Sequence, residues 1–249
     1  MPKYVQVFGR LGNKTTDLKF FKHLVGTEYE IIVEPFCGSC AFSLNLFPDC
    51  EKYDYHFNDL DEDLFTLLNN INEYLEFEKR IHQQFKEFQK ENHEHFSHTW
   101  LNTVKNIDSK FTKNFVNKYF IRGCWFKHKT NFNVNPNHLN IFNKANKTNN
   151  NYKQVMETYK DNDKALLFLD PPYLFSNNSS YIPQADDTDS TDIIIYILEY
   201  LKVCRCHVIF IINDLKILRY LFKDFIKSDY TRVYQLTNKK MKHIVITNY

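Results

Sequence analysis

The chain has 249 residues, with 32 Lys plus Arg against 30 Asp plus Glu for a net charge of +2, and 43% of its residues are apolar. At about 150 residues per domain, that length gives one large domain or one domain with a sizeable insertion, and the apolar content argues against disorder as the main state. No run of about 18 uncharged apolar residues occurs, which excludes a membrane-spanning helix, and the start MPKYVQVFGRLGNK has no apolar core followed by a small-residue cleavage site.

In chain order, Glu30 to Val33 is a short β-branched run that ends in Glu34-Pro35-Phe36, a strand followed by a loop. Ser39 to Phe47 forms a short helix that Pro48 stops, and Tyr53 to Phe57 is a second strand with Asp59 just past its end. Leu60, Leu64, Leu67, Leu68 and Ile71 recur at helical spacing. Phe77, Ile81, Phe85 and Phe88 give a second helical stripe, and Phe111, Phe115, Tyr119 and Phe120 a third. Asn143 to Tyr152 is polar, Asn-rich and without periodicity, which predicts a mobile loop. Ala165 to Leu169 is an apolar strand running into Asp170-Pro171-Pro172-Tyr173. A helix over Ile193 to Leu201, a strand over Val208 to Ile212, a helix over Leu215 to Phe225, and strands over Thr231 to Leu236 and His243 to Thr247 complete the chain. Apolar strands separated by helices predict an α/β protein with a mostly parallel sheet covered on both faces.

Six Cys in a chain of this length read as reduced thiols in an intracellular, cytoplasmic protein, not as a disulfide framework. The abundance of Phe, Tyr, Asn, Lys and Ile follows AT-rich codons, as in an AT-rich virus or a low-GC microbe. The near-zero net charge hides an asymmetry: Lys105 to Lys153 holds ten Lys or Arg and one acid, Asp108, while acids gather at Asp59 to Asp63 and at Asp186, Asp187 and Asp189. A basic block of this kind suits a polyanion, and equally suits a solvated surface.

Open α/β sheets bind ligands beyond the carboxyl ends of their strands, and three loops there carry unusual residues. In Glu34-Pro35-Phe36-Cys37-Gly38-Ser39-Cys40, Gly38 lets backbone approach a ligand closely. In Asn58-Asp59 the carboxylate is placed to accept both hydroxyls of a ribose. In Asp170-Pro171-Pro172-Tyr173 two prolines fix the backbone, so that a carboxylate, a carbonyl and an aromatic face form a receptor for a flat, amino-bearing ring.

These loops, in this order, resemble the Dam-like class of adenine-specific DNA methyltransferases, which use S-adenosyl-L-methionine and release S-adenosyl-L-homocysteine. The matching segments are Gly12-Asn13-Lys14, Glu34 to Gly38, Asn58-Asp59, Asp170 to Tyr173, and further Thr130-Asn131-Phe132-Asn133-Val134, Ile212-Asn213-Asp214 and Ile244 to Tyr249. Four motifs in the family's order are stronger than any one alone.

The resemblance implies a Rossmann-like methyltransferase fold, a mostly parallel seven-stranded sheet split in sequence over 1–75 and 154–249, with a largely helical DNA-recognition insert over 76–153. It implies that Arg10, Gly12, Asn13, Lys14, Glu34, Phe36, Gly38, Asp59, Leu60 and Asp170 bind the cofactor. Asp170 and the Pro171 carbonyl, held by Pro172, accept hydrogen bonds from the adenine amino group, and Tyr173 stacks on the ring after the base is flipped out of double-stranded DNA. Arg122, Lys127, Lys129, Asn131 and Asn133 meet the DNA. No metal is required. Cys40 stands where the family usually has a small residue and Arg10 where it often has an aromatic one. A cognate restriction endonuclease and a monomeric or weakly dimeric state stay open.

Other readings attach to the same residues. Asp59 serves equally as a helix N-cap. Cys37 and Cys40 have redox-motif spacing but no second pair at zinc-ligand spacing, since Cys204 and Cys206 are one residue apart. His93, His95 and His98 fit a solvated helix end, and Trp125 and Phe126 fit core packing or a wedge into DNA. A methyltransferase acting on RNA or a protein amide, and a catalytically silent DNA-binding protein with this fold, are the rival functions.

Overall fold

The computed structural model describes residues 7–8, 14–92, 111, 135–173, 190–234 and 239–249. Seven strands form one sheet: β1 (Ile31–Glu34), β2 (Asp54–Asn58), β3 (Asn146–Thr148), β4 (Ala165–Leu169), β5 (His207–Asn213), β6 (Ile226–Tyr234) and β7 (Lys239–Thr247). Their spatial order is β3-β2-β1-β4-β5-β7-β6. All neighbours from β3 to β5 pair in parallel, while β7 runs antiparallel to both β5 and β6. This is the expected Rossmann-like α/β architecture, and the strand order reverses direction at β1, between β2 and β4.

Alternation along each central strand feeds two apolar layers. Ile32, Leu166, Phe168, Ile209, Ile211 and Val245 face one layer, while Val33, Leu167, Leu169, Val208, Phe210, Ile212 and Ile244 face the other. The first layer is closed by α1 (Leu18–Phe21), α2 (Ala41–Leu46), α3 (Glu62–Asn69), α4 (Ile71–Asn92) and α5 (Pro136–Lys144), through buried residues such as Phe21, Phe42, Leu67, Tyr74 and Phe142. The second is closed by α6 (Tyr152–Tyr159), α7 (Ser190–Val203) and α8 (Lys216–Leu221), through Met156, Ile197 and Leu218. In the first layer Phe168 lies flat on Phe42 at 4.2 Å between ring centroids, with Phe21 at 5.7 Å.

Several expected elements change on folding. Asn143 to Tyr152, read as a mobile loop, is instead the sheet edge. Asn143 and Lys144 end α5, residues 146–148 pair in parallel with β2, and Asn151 caps α6 by accepting from the Lys153 N–H at 2.9 Å. The segment is polar because an edge strand is covered on one side only. The sheet thus takes in residues that the sequence reading put inside the insert. The helix expected over Leu215 to Phe225 is α8 alone, and β6 begins at Ile226. Leu60 lies outside α3 and is 48% exposed. Along α4, Phe77 and Ile81 are buried as expected; of the third stripe only Phe111 is among the described residues, buried against Phe77 and Tyr74. Among the described residues no helix is long and apolar enough to cross a membrane.

Phe168→Ala should destabilise the fold by about 3–5 kcal/mol, because it empties the middle of the stacked ring trio. Denaturant unfolding measures this, and a loss under about 1 kcal/mol would show that the stack is dispensable.

Candidate active site

The carboxyl ends of β2, β1 and β4 lie side by side at the point where the strand order reverses, the crevice where open α/β sheets hold ligands. Each contributes one of the loops singled out in the sequence.

After β1, Glu34 is 1% exposed and accepts from the Ser43 N–H of α2 at 3.0 Å. Burial pushes its carboxyl up to about 8, the Ser43 hydrogen bonds oppose this, and nearby Asp170 adds to it. Phe36 is half-buried on the opposite layer, stacked on Tyr152 at 5.0 Å. Gly38 has a φ of 50°, and its N–H donates to Asp59 Oδ2 at 3.1 Å. Cys40 also has positive φ, 52°, which costs a side-chain-bearing residue energy that Gly avoids. Its thiol is fully buried, and burial together with Cys37 pushes it well above its ordinary range. Cys37 and Cys40 are free thiols, and among the described residues no group of three or more His, Cys, Asp or Glu could hold a metal.

After β2, Asp59 fastens the first loop to the second. Its Oδ2 accepts from Gly38 and its Oδ1 from the Asp61 N–H at 3.1 Å. The N-cap of α3 is Asp61, which accepts from Leu64, so the capping role open to Asp59 falls two residues later. Asn58, 1% exposed, was not assigned a role from sequence, yet it joins three segments. Its amide donates to the carbonyls of Pro35 and Asn150 at 3.0 Å, and its Oδ1 accepts from Thr148 Oγ1 at 2.7 Å and the Asn150 N–H at 2.9 Å. Asn149 adds a bond to the Asp59 carbonyl at 2.7 Å.

After β4, Asp170 Oδ2 accepts from Lys14 Nζ at 2.6 Å, with the two side chains 18% and 6% exposed. Its Oδ1 accepts, among the described residues, only the long Tyr173 hydroxyl contact of 3.4 Å. Lys14 Nζ also lies 5.1 Å from the centre of the Tyr173 ring. Pro171 is buried, and Pro172 and Tyr173 are half-buried. Behind Lys14, the buried Asp17 accepts from Arg232 at 3.1 Å and from the Tyr230 hydroxyl at 3.2 Å. Burial pushes the Asp17 carboxyl up, and Arg232 and Lys14 oppose it.

Lys14, Glu34, Gly38, Asp59 and Asp170 therefore meet at one end of the sheet, with exposed Leu60 beside Asp59. Arg10, Gly12, Asn13, Arg122, Lys127, Lys129, Asn131 and Asn133 lie outside the described residues. Sequence reasoning missed Asn58 and the Asp17–Arg232 pair; Asn58 had a signal, a polar residue closing a buried strand, whereas no local pattern joins residues 215 positions apart.

A family model described as D12 class N6 adenine-specific DNA methyltransferase matches residues 11–140. The chain belongs to that family. The matched stretch spans Lys14, the Glu34 to Gly38 loop and Asp59, and the sheet described above is consistent with a Rossmann-like methyltransferase fold. Membership makes this protein an adenine-specific DNA methyltransferase by family, and the family in general implies S-adenosyl-L-methionine as methyl donor. A search of the curated proteins finds no match to the chain. In this methyltransferase Asp170 to Tyr173 lie beyond the matched stretch and join it in space through Lys14.

The raised Glu34 group sets a pH dependence. Its folded pKa of about 8 exceeds the ordinary 4.5, so the folded state holds a proton there that the unfolded chain has lost. Its contribution is complete below the unfolded value and is lost as pH rises through about 8. Glu34→Gln should remove a slope of up to about 1.4 kcal/mol per pH unit from the stability between these limits. It should make the protein more stable than the parent at alkaline pH. Thermal unfolding across that range checks it, and parallel curves for the two proteins would refute a protonated Glu34.

Proposed function

We propose that the chain transfers the methyl group of S-adenosyl-L-methionine to the exocyclic amino nitrogen of adenine in double-stranded DNA, at a specific short sequence and after flipping the base. The observation that carries this reading is the Asp170 carboxylate at the β4 end, oriented by buried Lys14 on one oxygen and holding the other toward Tyr173.

The residues at the crevice fit the cofactor chemically. Asp59, held in place by the Gly38 and Asp61 N–H groups, sets a carboxylate at the β2 end where the ribose hydroxyls would donate to it. Gly38 brings backbone close without a side chain, and Glu34, Phe36, Lys14 and Leu60, with Arg10, Gly12 and Asn13, complete the proposed set. Bound S-adenosyl-L-methionine supplies an electrophilic methyl group on a sulfonium that is already an excellent leaving group.

The chain's own residues then supply position and electrostatics. The adenine amino nitrogen is a poor nucleophile because its lone pair is delocalised into the ring. Asp170 Oδ1 and the Pro171 carbonyl accept its two hydrogens and draw it toward a tetrahedral geometry, which localises the lone pair. Tyr173 supports the ring face, Pro172 fixes the loop between them, and Lys14 stops the Asp170 carboxylate from rotating. The amino proton that is shed passes to Asp170. A base inside a duplex cannot reach these groups, so flipping is required.

The DNA-recognition role belongs to the chain between α4 and α5. Of the ten basic residues from Lys105 to Lys153, Lys144 pairs with Glu51, Lys147 donates to the Phe142 carbonyl, and Lys153 lies over the Tyr196 ring. Those three are spent within the fold. Seven Lys or Arg and two acids occupy residues 93–134, including Arg122, Lys127 and Lys129, with Asn131 and Asn133 beside them. This excess suits phosphate contacts. The site sequence, a paired restriction endonuclease and the oligomeric state are open to methylation mapping and to sizing in solution.

Asp170→Ala should abolish methyl incorporation into DNA. It also breaks the buried Lys14–Asp170 ion pair, at a cost of about 3–5 kcal/mol. The double variant Lys14→Met, Asp170→Ala should recover the stability and not the activity. Labelled-methyl incorporation and thermal unfolding read the two effects, and a single variant with parental incorporation would sink the assignment.

Neutralising Lys127 and Lys129 together should weaken DNA binding across all sequences. It should also flatten the dependence of log affinity on log salt by up to about two phosphate contacts, a slope change near 1.8. Binding titrations at several salt concentrations check this, and unchanged salt sensitivity would return the basic segment to a solvated surface.

A further inference from the structure

His243, on β7, lies opposite Asn213 of β5 and opposite Tyr230 of β6 in the antiparallel registers. Side chains opposed in such pairs share one face of the sheet. His243 is fully buried, and its ring is stacked on Tyr230 at 5.1 Å and 16°. The Tyr173 ring also packs against it, tilted, at 5.2 Å and 56°. Tyr230 in turn stacks on Phe20 of α1 at 4.7 Å and 12°, and its hydroxyl is held by Asp17. A continuous column of rings thus runs from α1 through β6 and β7 to the last residue of the Asp170 to Tyr173 loop.

His243 differs from an ordinary core histidine. Neither ring nitrogen meets hydrogen-bond geometry with a partner among the described residues, although the Met241 backbone lies near enough to favour the protonated ring. Burying an unpartnered polar group costs stability that an apolar residue would not lose. Burial, Lys14 and Arg232 push the imidazole down to about 3 against the opposing Met241 backbone and Asp214, so the ring is neutral across the working range. Local rules are broken in this way where function demands it. What the position keeps at that cost is a flat ring of limited thickness directly beneath Tyr173.

We propose that His243 is a positioning residue for methyl transfer, the ring surface that fixes the angle at which Tyr173 meets the target adenine. This rests on the reading of Tyr173 as the support for that base. His243 touches neither substrate nor cofactor in this account and acts through Tyr173 alone.

Two variants test it. His243→Leu keeps an apolar side chain of similar bulk without a flat face, and His243→Phe restores a ring. Both remove the unpartnered nitrogens, so both should unfold at or above the parent's temperature. The Leu variant should lose kcat by about 10-fold or more, the scale of a misplaced reacting group. Its dissociation constant for S-adenosyl-L-methionine, by calorimetry, and its KM for unmethylated DNA should stay parental. The Phe variant should regain kcat to within about threefold of the parent, since the ring surface is what positions Tyr173. A stable Leu variant with parental kcat overturns the inference, as do Leu and Phe variants that fall together. A parent chain that methylates no DNA overturns the reading of the whole site and this inference with it.

Discussion

The Lys14–Asp170 ion pair is the contact on which the site depends. It ties the turn before α1 to the end of β4 across 156 positions of sequence, with both side chains largely out of water. Taking two charges out of water costs about as much as their attraction returns, so the pair contributes little net stability. Its effect is geometric. Lys14 also fixes the backbone of the next turn, because its carbonyl accepts from the Asp17 N–H at 2.8 Å. That turn delivers Asp17 to Arg232 and Tyr230, so a second ion pair is anchored by the same residue that orients the first. The Asp170 carboxylate is therefore held from behind by charge and from the side by Tyr173.

Three carboxyl groups, Glu34, Asp170 and Asp17, influence one another across this pocket. Neighbouring carboxylates in a dry site cannot all ionise without a cation each. Lys14 and Arg232 supply two. Glu34 has none, and burial keeps a proton on it at neutral pH, with Asp170 adding to the effect, while its Oε1 still accepts from α2. Burial likewise keeps His243 neutral, and the same two cations add to it.

The sequence disclosed the strands best where they are buried on both faces. Ala165–Leu169 is uniformly apolar and has the bounds expected of it, and β1, β2 and β5 lie within a residue or two of theirs. Polar structure was harder to read. Within Asn146 to Asn151, Asn149 and Asn150 make bonds that only the fold supplies, to the Asp59 backbone and to Asn58, and no periodicity signals them. The helix cap moved from Asp59 to Asp61 because Asp59 is drawn to Gly38, a partner on another loop. The loops of the candidate site were legible because Gly, paired Pro and strand-end acids each have a stated chemical use. Their supports, Asn58, Asp17, Arg232 and His243, were not, since each acts through partners far along the chain. His243 had one faint signal, a polar residue heading the apolar run of a core strand.

The charge distribution separates two tasks that the near-zero net charge conceals. Two of the acids after β2 are used inward: Asp59 binds loop backbone, and Asp61 caps α3. Acids that accept backbone N–H groups repel a phosphate backbone less than their count suggests. The basic residues divide as well, with Lys14 and Arg232 buried against Asp170 and Asp17 and three more engaged around the β3 edge. The excess over 93–134, seven bases against two acids, is then the charge left for a polyanion. Salt screens exposed charges over about 10 Å at 0.1 M but hardly touches buried pairs. Docking through that segment would weaken with salt while the orientation of Asp170 would not. A division of this kind would let the proposed recognition segment vary in sequence without disturbing the ion pair that orients Asp170.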